Sequence, residues 1–363
     1  MTRLAGFLEE RGLDAHPDKT SYIVCGTEKY KQKTNEQLKQ MPLVFGNFPA
    51  KRKVSDKYLG QILHQDGLEA SVKATIEDRT GKIKGAIFLT KTIVETFQMQ
   101  GIGAMEAAKT LWEGAIVPSL LHGAGTWVCS SKETDTLCEE LQLLFWRTIY
   151  QVPKGTPKVM LRIQSTSMKM KQRIWKMKLL MARKILSQEG TLANEIYTEQ
   201  LKNEWPGLAN EVKEICKEIG VDDINENEVT KDELDEAIYY NNYKEMKLEV
   251  IRYKKLEEIQ NDDFRELPDY MHDKSIENAR MAFRIKSGMV NRIKMNYKGS
   301  YKQNLKCEKC ELEENETQCH AMVCTGWSEE RDGLDLAKMS DMVLFFQRIL
   351  EEKGGKNKKE GLP

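Results

Sequence analysis

The stretch Cys307-Glu308-Lys309-Cys310, followed after nine residues by His320-Ala321-Met322-Val323-Cys324, decides how the end of this chain folds. A Cys-x-x-Cys pair bends into a turn that offers two thiolates to one ion. His320 and Cys324 stand one helical turn apart, so both face the same point. Cys307, Cys310, His320 and Cys324 form a closed Cys3His set, which suits structural zinc and leaves no open position for catalysis. The segment carries few apolar residues, and a metal supplies folding free energy that so small a core cannot. Unrelated free thiols and a disulfide pair are the competing readings, and Cys319, beside His320, is a rival ligand. The His-x3-Cys half makes a chance Cys-x-x-Cys the weaker explanation.

The 363 residues allow two or three domains. Hydrophobic residues at 40%, charged residues at 31% and a mean hydropathy of −0.58 predict ordinary cores under an exposed, helix-rich surface. Lys and Arg balance Asp and Glu at 56 each, so any polyanionic partner must be sought in the distribution of charge. From Arg147 to Gln188 there are eleven Lys or Arg and no acid; from Glu189 to Glu236 there are fifteen acids against four bases. A chain polarised in this way is expected to have a basic face and an acidic face. Met1 to Leu8 is too short an apolar run for a secretory signal, and Glu9-Glu10-Arg11 follows it. No segment approaches the ~20 apolar residues of a membrane span. The eight cysteines then fit a reducing compartment, nucleus or cytoplasm. Neither charge nor motif fixes an oligomeric state.

The fold class expected is α+β, mainly α. Residues 2–11 read as the end of an amphipathic helix stopped by Gly12, and Ser21–Cys25 as a short buried strand. Residues 28–41 are polar, a loop or an exposed helix. Leu43-Val44-Phe45, Gly46-Asn47 and Phe48 read as a tight hairpin, and Tyr58 to Leu63 as a strand ended by Asp66-Gly67. After residue 68 the pattern is almost all helical. Ile76, Ile83, Ile87, Val94 and Phe97 mark one long amphipathic helix. Residues 105–116, closed by Pro118, and 133–150, with Leu137, Leu141, Leu144 and Thr148 as its stripe, predict two more. Pro153, Gly155 and Pro157 break the chain. A basic helix follows, with Ile174, Met177, Met181 and Ile185 on its apolar face. Further helices are expected before Gly220, over 238–259, over 275–289 and over 341–352, the last burying Met342, Phe345, Phe346 and Ile349.

Several constellations invite a functional reading, each beside a plainer one. Gly12-Leu13 with Asp18-Lys19-Thr20 is either a lysine held near a phosphate or a polar turn. Lys57-Tyr58-Leu59-Gly60 either grips a nucleic-acid strand or is a hairpin whose Tyr58 packs inward. The basic stretch Arg147, Lys154, Lys158, Arg162, Lys169, Lys171, Arg173, Lys176, Lys178, Arg183 and Lys184 includes Trp146, Tyr150 and Trp175. Such a run neutralises phosphates while indoles stack on bases, or else it is a face neutralised by the acids after it. Asp222-Asp223 and Asp262-Asp263 are paired carboxylates of the type two-metal chemistry uses, but neither follows a strand, and solvated acid is the better reading. His16, His64, His122 and His272 have no partner at motif spacing.

The order Gly12-Leu13…Asp18-Lys19-Thr20, Lys57-Tyr58-Leu59-Gly60, Pro118-Ser119-Leu120-Leu121-His122-Gly123…Thr126-Trp127 resembles the pol protein of non-LTR (LINE-type) retrotransposons. Phe145-Trp146-Arg147, Val152-Pro153-Lys154, Arg173-Ile174-Trp175, Ala282-Phe283-Arg284 and the Cys307–Cys324 knuckle, with Thr317-Gln318 ahead of its His, continue the match over nearly the whole chain. The resemblance implies that Lys19 belongs to palm motif D, with His16 standing where the family usually has Asn, and that Tyr58, Leu59 and Gly60 belong to motif E, the primer grip. It implies a palm remnant over 1–68, a helical thumb over 69–152 and a helical region, basic then acidic, over 153–260. A helical linker (261–304), a zinc knuckle (305–328), a last helix (329–352) and a disordered tail (353–363) would follow. In the family the Mg2+-binding carboxylates precede motif D, so magnesium would serve only a full-length polymerase. The expectation is therefore a truncated reverse-transcriptase-derived product with no catalytic residue beyond a remnant Lys19. It would contain structural zinc and bind RNA or DNA weakly through Tyr58, Gly60, Arg147, Lys154, Arg162, Lys171, Arg173, Trp175 and Lys176. The alternative is a zinc-dependent nucleic-acid-binding or helical interaction module.

Overall fold

In the computed structural model the described residues are 6–7, 10–12, 16–17, 19–45, 48–96, 103–127, 132–222, 224, 229–252, 265–273, 275–287, 307, 309–310 and 318–359. Of the described residues 68% are helical, and the strands are two to four residues long, which is α+β, mainly α. Two compact units share the chain: Met1–Lys84, Val117–Leu141 and Met170–Asn241 make the first, and Gly85–Ile116, Gln142–Lys169 and Asn242–Pro363 the second.

The first unit opens with β1 (Ser21–Tyr22), which pairs in parallel with β4 (Lys51–Arg52). The expected strand to Cys25 is thus cut to two residues; Val24 is buried and Cys25 exposed. Residues 28–41 resolve as a helix, α1 (Glu28–Gln40), because Thr27 accepts a hydrogen bond from the Tyr30 N–H and satisfies its first turn. The hairpin of β2 (Val44–Phe45) and β3 (Phe48–Pro49) sets Phe45 opposite Phe48, as its sequence predicts; Gly46 and Asn47 lie outside the described residues. The Tyr58–Leu63 strand is corrected to a reversal between β5 (Ser55–Tyr58) and β6 (Gln61–His64). Leu59 and Gly60, at φ 47° and 80°, turn the chain. Two successive left-handed residues give the turn whose twist matches paired strands.

The long helix α2 (Leu68–Thr96) buries Ile76, Ile83, Ile87 and Val94; Phe97 lies outside the described residues. Of the helices that complete the first unit, α7 (Met170–Leu186) packs on a 3-10 turn at Ala124–Thr126. A Cβ on Gly125 would stand 2.9 Å from the Met177 carbonyl, so glycine permits that approach. The apolar face of α7 is corrected to Ile174, Trp175, Leu179 and Ala182; Met177, Met181 and Ile185 are only half-buried. Helices α8 (Leu192–Lys202), α9 (Leu208–Ile219) and α10 (Lys231–Ile251) follow, α9 closed by Gly220 at φ 73°. The basic and acidic stretches meet here as pairs: Lys171 with Glu218 at 3.2 Å, Lys176 with Asp235 at 2.8 Å, and Lys178 with Glu211.

In the second unit α3 (Ala104–Leu111) opens into a π turn, Trp112–Ile116. The helical run does not close at Pro118: α4 (Val117–Leu120), assigned to the first unit, follows the π turn directly and carries that proline. The buried residues of α5 (Lys132–Tyr150) are corrected from the leucine stripe to Cys138, Leu141, Gln142, Phe145, Trp146 and Ile149. Aromatic packing decides this. Trp112 lies 4.6 Å from Phe145 between centroids, Phe145 4.9 Å from Trp146, and Tyr150 stacks on Phe283 at 3.9 Å. A short helix unread in the sequence, α6 (Lys158–Gln164), starts after Pro157.

Ser275 caps α11 (Ile276–Lys286) by accepting from the Asn278 N–H. In the same unit Arg280, fully buried, donates to the Ile149 carbonyl at 2.8 Å and pairs with Glu95 at 2.5 Å. After α12 (Gln318–Val323) and α13 (Ser328–Arg331), α14 (Met339–Lys359) lays Val343, Phe345, Phe346 and Ile349 against α11, with Met342 half-buried. It continues to Lys359, past the expected end at residue 352, since a packed helix propagates more readily than it nucleates.

Candidate metal centre

The ligand atoms of Cys307, Cys310, His320 and Cys324 all lie within 4.8 Å of one another, so the spacing read in the sequence becomes one site that can hold a metal ion. Cys307 and Cys310 come from a turn. His320 sits on α12, and the Cys324 N–H donates to the His320 carbonyl at 2.7 Å, which keeps the two in adjacent helical register. Cys307 Sγ is 3.7 Å from Cys324 Sγ, and Cys310 Sγ is 3.4 Å from His320 Nε2. A disulfide needs sulfurs about 2.05 Å apart, so the thiols are free. Tetrahedral zinc with Zn–S near 2.3 Å places ligand sulfurs about 3.8 Å apart, which the observed edge matches. The cluster is compatible with structural zinc on those grounds. The side chain of Cys319 lies outside the described residues.

The electrostatics favour a cation. Burial pushes the Cys307 thiol up, but the Lys309 N–H, His320, Cys324 and the Cys310 N–H outweigh it and hold the thiol below its ordinary value. Burial pushes the Cys324 thiol up as well, here to about 11; the Gly326 N–H opposes this, while Cys307 and Cys310 add to it. Sulfurs this close do not all ionise unless a positive charge sits among them. Around the site, Lys309 Nζ lies 4.7 Å above the Trp327 ring and pairs with Glu352 at 2.5 Å. A Cβ on Gly326 would fall 2.2 Å from the Lys309 carbonyl, so the ligand-bearing halves touch backbone to backbone. Lys309, Gly326 and Glu352 were not legible as site residues.

The other candidates are dispersed. Lys19 is exposed on a turn in which its N–H and that of Thr20 both donate to the His16 carbonyl at 3.0 Å; Leu13 and Asp18 lie outside the described residues. Tyr58 does not pack inward: it and Leu59 are 65% and 75% exposed at the hairpin tip. Gly60 is held from behind. Arg79 donates to the carbonyls of Gly60, Leu120 and His122, while Gln61 donates to the His122 carbonyl and accepts from the Trp127 indole. The Lys57–Gly60 and Pro118–Trp127 motifs thus meet through two residues that no motif contained. The signal was present in Arg79, a cation on the apolar stripe between Ile76 and Ile83.

Along the basic stretch Arg162 pairs with Glu249, and Lys169 with Glu245 and Glu249, within the second unit. Arg147 and Arg173 are also engaged, whereas Lys154 and Lys158 are exposed. Trp175 is 7% exposed, with Lys171 over its ring, so its indole is not offered to a base. Asp222 is exposed; Asp223, Asp262 and Asp263 lie outside the described residues. His64 meets Asp66 at 3.5 Å and His272 meets Glu106 at 3.1 Å, surface contacts both. No helix among the described residues is long and apolar enough to cross a membrane. The chain matches no protein-family profile, no curated protein and no solved structure.

Proposed function

We propose that the chain is the carboxy-terminal part of a LINE-type reverse transcriptase: a non-catalytic, mainly helical module that holds structural zinc and binds RNA or DNA weakly, with little sequence preference. The observation that carries this reading is the meeting of motif segments far apart in sequence. The Lys57–Gly60 turn is tied to His122 through Arg79 and Gln61, and Tyr150, beside the Phe145–Arg147 motif, stacks on Phe283 of Ala282–Arg284. Three thiolates with one imidazole select zinc over hard cations. Four protein ligands leave no place for a reacting water, so the metal role is structural. The acids around the hairpin already serve lysines: Asp56 meets Lys53, Asp66 meets Lys31, and Asp78 meets Lys57. Primer extension with magnesium is accordingly expected to give no incorporation above a heat-killed control.

Nucleic-acid contact is assigned to exposed groups, not to the paired cations. Leu59, a leucine in the left-handed region, sits at an exposed tip beside Tyr58; strain kept at such a place points to a use for the tip. The test is fluorescence anisotropy with a single-stranded RNA or DNA oligonucleotide between about 50 and 200 mM salt. Tyr58→Ala is expected to weaken binding about fivefold or more, as loss of one stacked base does. Lys154→Glu with Lys158→Glu should flatten the salt slope. Arg162 and Lys176 are unsuitable for this test because reversing them breaks ion pairs with Glu249 and Asp235. Absence of binding at the lowest salt would remove the nucleic-acid part of the proposal. A helical interaction module is the second reading, favoured by Leu192, Ile196 and Trp205, which are exposed on and after α8. A stable protein complex formed without nucleic acid would support it instead.

A further inference from the structure

We infer that the filled Cys3His site fastens the last helix: metal binding docks α14 on α11, and metal loss releases it. This deepens the zinc reading above and rests on it. Both ligand-bearing halves have their own line of contacts into α14. On the first, Lys309 stands between Cys307 and Cys310, so the turn that presents those sulfurs also fixes the lysine. Its side chain crosses the face of Trp327, which is buried at 1% exposure, and meets Glu352 on α14 at 2.5 Å. On the second, Arg331 donates to the Ala321 and Met322 carbonyls at the end of the helix that bears His320. Arg348 of α14 donates to the Glu330 carbonyl at 2.9 Å and the Asp332 carbonyl at 3.4 Å, holding α13.

The same helix buries Phe345, Phe346 and Ile349 and packs on α11, where Gln347 donates to Asn278 at 3.0 Å. Among the described residues the first half offers Cys307, Lys309 and Cys310, with no aliphatic or aromatic side chain to join it to the second. Without an ion among the sulfurs the halves separate, and Lys309 and Arg348 then hold nothing fixed. Each polar contact alone is weak when exposed. Their effect here comes from anchoring to one rigid point, so metal and helix stabilise each other reciprocally.

The test is hydrogen exchange by mass spectrometry on the full chain, zinc-loaded and chelated, with zinc content measured in the same samples. Stripping is expected to speed exchange about tenfold or more over residues 343–350 together with 318–331, while residues 174–182 of α7 stay unchanged. Lys309→Met and Glu352→Gln keep all four ligands. Each should retain one zinc per chain, bind it about fivefold more weakly in competition with a chromophoric chelator, and expose 343–350 to faster exchange. A wild-type chain that takes up no zinc overturns the metal reading and this inference together. Zinc that binds and is removed without any change over 343–350 overturns the fastening alone. Should chelation also unprotect α7, the two variants decide: wild-type zinc affinity and wild-type exchange in both overturn it.

Discussion

Gly326 passes the main-chain carbonyl of Lys309 at a distance that leaves no room for a side chain, since a Cβ there would stand 2.2 Å from the oxygen. Gly326→Ala should therefore push the two halves of the metal centre apart. Alanine keeps the N–H that reaches Cys324, so the loss is steric. Metal affinity is expected to fall about tenfold or more, the size of effect that supporting groups around a site commonly have. Competition with a chromophoric chelator measures it, and unchanged affinity would show that the halves adjust independently.

Arg79 is a second point of convergence. It supplies donors to three carbonyls, at 2.7 Å from Gly60, 2.8 Å from Leu120 and 2.9 Å from His122. Arg79→Met preserves the buried stem and strands those acceptors, a loss of about 3 kcal/mol in urea unfolding. Arg79→Lys should recover only part of it, because one ammonium does not reproduce the planar fork. Equal stability of the methionine variant and wild type would make the clamp incidental.

Asp135 gives a prediction with a defined sign. Burial pushes its carboxyl up to about 6, with Lys178 and Lys171 opposing and Glu139 and Glu211 adding to the rise. The folded state thus holds a proton that the unfolded chain has already lost between pH about 4 and 6, and stability declines as pH rises through that window. Asp135→Asn should be more stable than wild type above pH 6, and its advantage should vanish as pH falls toward 4. Urea titrations of both proteins across that range provide the check, and a constant difference at every pH contradicts it.

Leu59 occupies a conformation that its side chain disfavours, at φ 47°. Leu59→Asn should stabilise the hairpin by about 1 kcal/mol, as asparagine tolerates the first position of such a turn. Because Leu59 is 75% exposed, little packing is lost in exchange. A lower thermal midpoint in the variant would mean that the leucine makes contacts worth more than its strain.

The metal ligands were legible because their chemistry is local: spacing alone put four donors on one turn and one short helix. The Phe45–Phe48 hairpin and the Gly220 stop were legible for the same reason. Misreadings arose where distant partners decide. Leucine periodicity pointed to one face of α5, but Phe145, Trp146 and Ile149 have neighbours such as Trp112 that turn the helix toward them. The acid-free stretch stayed open between a surface for phosphates and a neutralised face, because the acids that pair with it, Glu211, Glu218, Asp235, Glu245 and Glu249, lie far along the chain. Arg79, Lys178 and Arg280 each interrupt an apolar stripe. A cation in that position signals a buried partner, which the sequence registers without naming the partner.

The contact between Arg280 and the Ile149 carbonyl spans 131 positions. A ribosome adding about 5 to 20 residues per second needs roughly 7 to 26 seconds to deliver the arginine after the isoleucine. Through that interval Tyr150 has emerged without Phe283 to stack on, and Trp112, Phe145 and Trp146 wait beside it. Synthesis that halts before residue 283 leaves this aromatic row unfinished, so premature termination there should yield chains that depend on chaperones or precipitate.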